Sequence, residues 1–126
     1  MQHIGVDIIE INRVKKAVDR WGKRFLERVF TSEEIRLYAG KNQSLAARFA
    51  AKEAVLKALS ICNNGINWHE IEVLSDSRGK PTITLAGKAR EAARTMAVDC
   101  LDVSLSHSEH YAVAFCVGTT GAAHAA

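Results

Sequence analysis

At 126 residues the chain is long enough for one domain that buries roughly two thirds of its unfolded surface, and it needs no disulfides or metal staples to do so. An apolar fraction of 48%, a charged fraction of 25%, a single proline and a formal net charge of +3 exclude disordered, fibrous and low-complexity classes. Cys62, Cys100 and Cys116 lack the number and spacing of a disulfide framework or zinc knuckle, and no apolar run approaches the ~18 residues of a membrane span, so a soluble, cytoplasmic protein is expected.

Residues 4–9 are short, β-branched and bounded by charge, which predicts a strand containing Asp7. Asn12 can cap a helix over residues 13–21, with Gly22 marking a break and residues 23–28 continuing on a new axis. From Arg13 to Arg28 seven basic residues face two acids, a local excess of five positive charges that would favour an acidic partner. Arg13, Ala17, Arg20 and Arg24 form one stripe if Gly22 does not bend the helix sharply.

Thr31 and Glu34 have the spacing of a capping box, opening a short helix that Gly40 ends. Residues 44–60 are rich in Ala and Leu without Gly or Pro, and Asn63, Asn64 and Gly65 follow, which predicts a helix of some four turns, apolar on nearly every face. Residues 68–74 and 81–85 read as strands around a turn at 75–80, and residues 87–98 as a helix. Leu101, Val103 and Leu105 alternate with polar residues, and residues 111–117 are an apolar return strand, so the domain closes on a hairpin whose turn is at 107–110. One domain over residues 1–117 and a disordered tail over 118–126 are expected, in an α+β fold of a small, mostly antiparallel sheet with packed helices.

The apolar helix carries only Arg48, Lys52, Glu53 and Lys57 as charged residues, and each needs a partner. At ~100° per residue Glu53 lies within about 40° of both Phe49 and Lys57, at the edge of the apolar stripe. Glu53 and Lys57 can be an ordinary i, i+4 surface pair, and Asp7 an acid on the wet face of an edge strand; a functional role for either stays open at this point. Lys52 can snorkel to solvent or contact a substrate. His107 and His110 lack a partner Cys for zinc, and a phosphate contact suits a turn histidine better. Gly79, Lys80 and Pro81 make a turn between strands with weak phosphate-binding potential. A nucleic-acid platform is disfavoured, because aromatic residues are only 6% and do not interleave with basic ones.

Three motifs in order, Gly5-Val6-Asp7-Ile8-Ile9-Glu10-Ile11-Asn12-Arg13, Arg48-Phe49-Ala50-Ala51-Lys52-Glu53-Ala54 and Leu105-Ser106-His107-Ser108, resemble those of the holo-acyl-carrier-protein synthases. These are the small, single-domain type of the phosphopantetheinyl transferase superfamily, and the resemblance spans residues 4–117. It implies that Asp7 and Glu53 hold magnesium with the pyrophosphate of coenzyme A, and magnesium's preference for one or two carboxylates plus phosphates agrees with that assignment. It further implies that a serine hydroxyl of apo-acyl carrier protein attacks the β-phosphorus of coenzyme A. On the same resemblance phosphopantetheine would be transferred, adenosine 3′,5′-bisphosphate would leave, and the holo-carrier would serve fatty acid biosynthesis.

On this reading Lys57 acts beside the carboxylates as a point charge on the phosphates, and Arg48 adds a guanidinium fork. Gly79, Lys80, Pro81 and His107 would surround the nucleotide end of the coenzyme. Arg13, Arg20 and Arg24 would dock the acidic carrier, and the family pattern implies a homotrimer with coenzyme clefts between subunits. Whether Glu53, a water or a hydroxide on the metal takes the serine proton stays open. Neither nucleic acid nor membrane is expected as a partner.

Overall fold

The computed structural model describes residues 1–61 and 67–121, so the predicted turn at Asn63, Asn64 and Gly65, and residues 122–126 of the tail, lie outside the described residues. In chain order the elements are β1 (Gln2–Glu10), α1 (Ile11–Trp21), α2 (Lys23–Val29), α3 (Ser32–Tyr38), α4 (Asn42–Ala58), a 3-10 turn (Trp68–Glu70), β2 (Ile71–Ser75), β3 (Pro81–Leu85), α5 (Gly87–Thr95), β4 (Val98–His107) and β5 (Tyr111–Thr120). The fold is α+β, with a three-stranded antiparallel sheet in the order β1-β5-β4 and a separate β2-β3 hairpin.

Helix α4 is the centre of the molecule. Leu45, Ala46, Ala50, Ala51, Ala54 and Val55 are wholly buried on it, because it lies under the β1-β5 face and also against β2. The sheet meets it through small residues, Gly5, Ala112 and Ala114, which allow close approach. Larger side chains, notably Phe30, Leu59, Ile71 and Val73, fill the space between α4, α3 and the hairpin, each contributing about 1.5–3 kcal/mol by burial. None of the helices among the described residues is long and apolar enough to cross a membrane.

The opposite face of the sheet is apolar yet uncovered. Ile4, Val6 and Ile8 of β1 are each more than half exposed, and Val6 stands across from Phe115 of β5, itself 44% exposed. Residues on β1 therefore alternate between this outer surface and the α4 side.

Several boundaries differ from the expected ones for local reasons. Helix α1 starts at Ile11 with Glu10 as its cap residue, not at an Asn12 cap, because Ile11 is buried and its N–H donates to the His110 carbonyl at 2.9 Å. Trp68–Glu70 is a 3-10 turn rather than strand, since Asn67 and Glu70 form their own capping box. Helix α5 stops at Thr95, where Met96 closes it and Ala97 turns to φ 55°, freeing Val98 to begin β4. Strand β5 continues past the expected end at 117 through Thr120, paired with both neighbours.

The single arginine stripe does not form. Gly22 adopts φ 55° and ψ −130°, the chain turns there, and Arg24 belongs to α2 while Arg13 and Arg20 belong to α1. Only a glycine enters this backbone region without strain.

Candidate active site

Asp7 is positioned by the alternation of β1. Gly5, Asp7 and Ile9 share the face directed at α4, and Gly5 is packed against the backbone of Ala54 and Ala58. Ala54 and Ala58 form one row of α4, one residue away from the row Glu53 and Lys57. Asp7, two residues beyond Gly5 on the same strand face, thereby meets the second row.

The contact is direct. The Lys57 ammonium donates to the Asp7 carboxylate at 3.2 Å and to the Val6 carbonyl at 2.9 Å, across fifty residues of sequence. Lys57 is half exposed while the Asp7 side chain is only 20% exposed. The ordinary i, i+4 partnership with Glu53 is thus absent from the ion pairs among the described residues, and Lys57 reaches across to the strand instead.

Glu53 is partly buried beside this pair. Burial, and next the negative charge of Asp7, hold its carboxyl above the usual carboxylate range, with the Lys57 ammonium opposing them. Two carboxylates from different elements thus converge where one exposed lysine only partly neutralises them. This all-oxygen donor pair fits a hard divalent cation. The described residues offer no group of three or more acidic, His or Cys side chains, so further ligands would come from substrate phosphates and water.

The other charges of α4 have partners elsewhere. Lys52 is wholly buried and neither snorkels nor reaches outward: its ammonium donates to Glu34 Oε1 at 2.8 Å and to the carbonyls of Trp68 and Ile71. Glu34, also wholly buried, accepts in addition from the backbone N–H groups of Thr31 and Val73, both at 2.8 Å. The capping box at Thr31 foretold the first of these bonds, but no sequence pattern linked Glu34 to Lys52. Arg48 is 6% exposed, lies 3.7 Å over the Tyr38 ring and donates to Ser75 Oγ at 2.9 Å.

The turn carrying Gly79, Lys80 and Pro81 is held by Asp76, whose Oδ1 accepts from the backbone of Arg78 and Lys80. Lys80 is 3.9 Å from Asp102, with both side chains exposed. His107 is exposed at the end of β4. No hydrogen bond or ion pair among the described residues joins Lys80 or His107 to Asp7, Glu53 or Lys57.

Arg13 and Arg20 are exposed on α1, with Arg20 4.9 Å over the Trp21 ring. Arg24 lines a groove of about 510 Å³ whose walls include Trp21, Phe25, Arg28, Phe49 and Trp68. Phe49, which lines this groove, stands one helical turn before Glu53 on α4.

Comparison with known proteins gives a consistent result. The family model of the 4′-phosphopantetheinyl transferase superfamily matches residues 3–116. The holo-[acyl-carrier-protein] synthase of Dehalococcoides mccartyi is 50% identical over 117 residues, covering 93% of this chain and 98% of its own. That of Herpetosiphon aurantiacus is 48% identical over 121 residues, covering 90% and 95%. The crystal structure of Helicobacter pylori holo-[acyl-carrier-protein] synthase in complex with coenzyme A superposes with a TM-score of 0.83 at 34% identity, covering 92% of this chain and 99% of that one.

Proposed function

The chain belongs to the 4′-phosphopantetheinyl transferase superfamily, among its small holo-[acyl-carrier-protein] synthases, and on that premise we propose how its own residues carry out the reaction. The protein transfers 4′-phosphopantetheine from coenzyme A to a serine hydroxyl of apo-acyl carrier protein. The observation that carries our assignment of the site is the convergence of Asp7, Glu53 and Lys57 at the β1-α4 contact.

Asp7 and Glu53 are the residues suited to hold magnesium. Bound there, the ion supplies charge neutralisation and orientation to the coenzyme pyrophosphate. Lys57 offers its ammonium to the same phosphates, and its half-exposed side chain leaves it free to turn toward them. The serine oxygen forms a bond to the β-phosphorus as the bond from that phosphorus to its bridging oxygen breaks. The electron pair departs with adenosine 3′,5′-bisphosphate. The serine proton passes to Glu53, directly or through a water.

Arg48 is assigned to the coenzyme phosphates, and Gly79, Lys80, Pro81 and His107 to the nucleotide portion of the coenzyme. Because Lys80 and His107 make no hydrogen bond or ion pair with Asp7, Glu53 or Lys57 of their own chain, we assign them to a neighbouring subunit's site. The uncovered apolar face of Ile4, Val6, Ile8 and Phe115 supports assembly, and a homotrimer with clefts between subunits is our reading. The domain over residues 1–117 supplies all of these residues. Docking of the acidic carrier is assigned to Arg13, Arg20 and Arg24, with the aromatic groove beside Arg24 receiving apolar side chains. Free thiols at Cys100 and Cys116 suit a reducing cytoplasm.

Mass spectrometry of apo carrier incubated with the protein, coenzyme A and magnesium tests this: one phosphopantetheine should be added, and a chelator should prevent it. A folded sample giving no mass shift over varied metal and salt would sink the proposal.

A further inference from the structure

The site brings Asp7 near Glu53, and the cation bonded to Asp7 is Lys57. Its ammonium is 3.2 Å from Asp7 Oδ1 and 2.9 Å from the Val6 carbonyl, so two of its three donors are spent on β1. Asp7 is held within a strand and is largely covered, whereas the Lys57 side chain is 55% exposed and hangs on four rotatable methylenes. Lys57 can swing away without disturbing any packed element; Asp7 cannot.

A divalent cation approaching Asp7 in this arrangement meets a positive charge already bonded to one of the two carboxylate oxygens. Two cations at hydrogen-bond distance from one carboxylate, in a partly desolvated site, repel strongly. Departure of Lys57 from Asp7 removes that repulsion and frees both carboxylate oxygens. The half-exposed ion pair is weakly held, and a pyrophosphate beside the helix offers the ammonium new anionic acceptors.

We propose that Lys57 is a place-holding cation, which occupies Asp7 until the phosphates of the coenzyme draw it off, so that metal and coenzyme A bind as a coupled pair. The inference rests on the magnesium reading given above and adds to it a specific order of preference. By linkage, whatever factor the coenzyme adds to metal affinity the metal returns to coenzyme affinity. The arrangement keeps the free enzyme from being loaded with metal in the absence of its co-substrate.

The test is Mn²⁺ binding, followed by electron paramagnetic resonance of the free ion, to wild-type, Lys57→Met and Lys57→Gln proteins, each with and without saturating coenzyme A. Free Lys57→Met and Lys57→Gln should bind Mn²⁺ about tenfold more tightly than free wild type, within the usual range of coupling factors. The enhancement that coenzyme A gives the wild type should shrink by a similar factor in both variants. Variants that bind no more tightly than wild type overturn the proposal. So does equal tightening with and without coenzyme A, which would mean simple repulsion from a lysine that never leaves Asp7. Transfer that proceeds unchanged under chelator would instead bring down the magnesium reading itself, whereas metal-dependent transfer with unaltered Mn²⁺ affinity in both variants removes only the place-holding role.

Discussion

Gly5 and Ala54 are packed so closely that a Cβ added to Gly5 would overlap the Ala54 carbonyl oxygen and stand 2.8 Å from the Ala58 nitrogen. What Gly5 provides is space rather than an unusual backbone angle, since its φ is not among the positive ones. This contact sets the distance between β1 and α4, and with it the reach from Lys57 to Asp7.

Replacing Gly5 with Ala should therefore do two things. The strand must shift off rigid backbone, destabilising the fold by about 1–3 kcal/mol. Transfer should fall by more than the lost folded fraction explains, because Asp7 moves with the strand. Denaturant unfolding and turnover on the same sample check both; a fully active, unperturbed Gly5→Ala protein would show the close approach to be dispensable.

Asp7→Asn and Glu53→Gln should each slow transfer by at least about a hundredfold with carrier binding largely kept. Reversing Arg20 and Arg24 to Glu should have the opposite signature, a weaker and less salt-sensitive association with carrier. Indistinguishable kinetics in the two sets would contradict the division of the surface into chemistry and docking.

Glu53→Gln should also raise the thermal midpoint at neutral pH. The fold holds the Glu53 carboxyl above its ordinary value of 4.5, so this group stabilises the protein fully below that value and loses its contribution as pH rises through the folded pKa. The gain from the amide should accordingly be largest at neutral pH and vanish in acid. Melting curves across that range, with the gain persisting at low pH, would point to another cause.

Lys52→Met alone strands a buried Glu34 carboxylate and should destabilise by about 3–5 kcal/mol. Combining it with Glu34→Gln removes that charge while keeping an amide oxygen for the capping bonds. The double variant should be more stable than the sum of its parts by about 1 kcal/mol or more. Strict additivity in urea unfolding would mean that the ion pair is not energetically coupled.

Glu70 predicts an acid weakness. Its carboxylate accepts from the backbone of Asn67, Lys88 and Ala89, which holds its pKa below the ordinary 4.5. The associated stability is present above 4.5 and disappears as pH falls through the lowered folded value. Glu70→Ala should cost about 1 kcal/mol at neutral pH, with the difference from wild type closing in acid, as denaturant midpoints at both pH values would reveal.

Much of this architecture was legible wherever the determinants are local. The composition of α4 specifies a helix without breakers, the Thr31-Glu34 spacing specifies a cap, and the alternation in β4 specifies a half-buried strand. Features decided by distant partners were not. The burial of Lys52 depends on Glu34 and Ile71, eighteen and nineteen residues away, and the start of α1 depends on a carbonyl in the β4-β5 turn. The pairing of Asp7 with Lys57 required both the strand register and the roll of α4. Sequence supplied Asp7 and Glu53 as a pair only through family resemblance, because neither the strand nor the helix pattern alone states which face meets which.

Strand β1 leaves little freedom to anyone wishing to redesign this protein. Its odd-numbered inner residues Gly5, Asp7 and Ile9 face the helix, while the even-numbered Ile4, Val6 and Ile8 face outward. Inserting or deleting one residue would exchange the two sets, sending Asp7 outward and an isoleucine or valine against Ala54. Only the even frame is open to polar substitution, so the apolar outer surface can be altered there with the inward residues untouched.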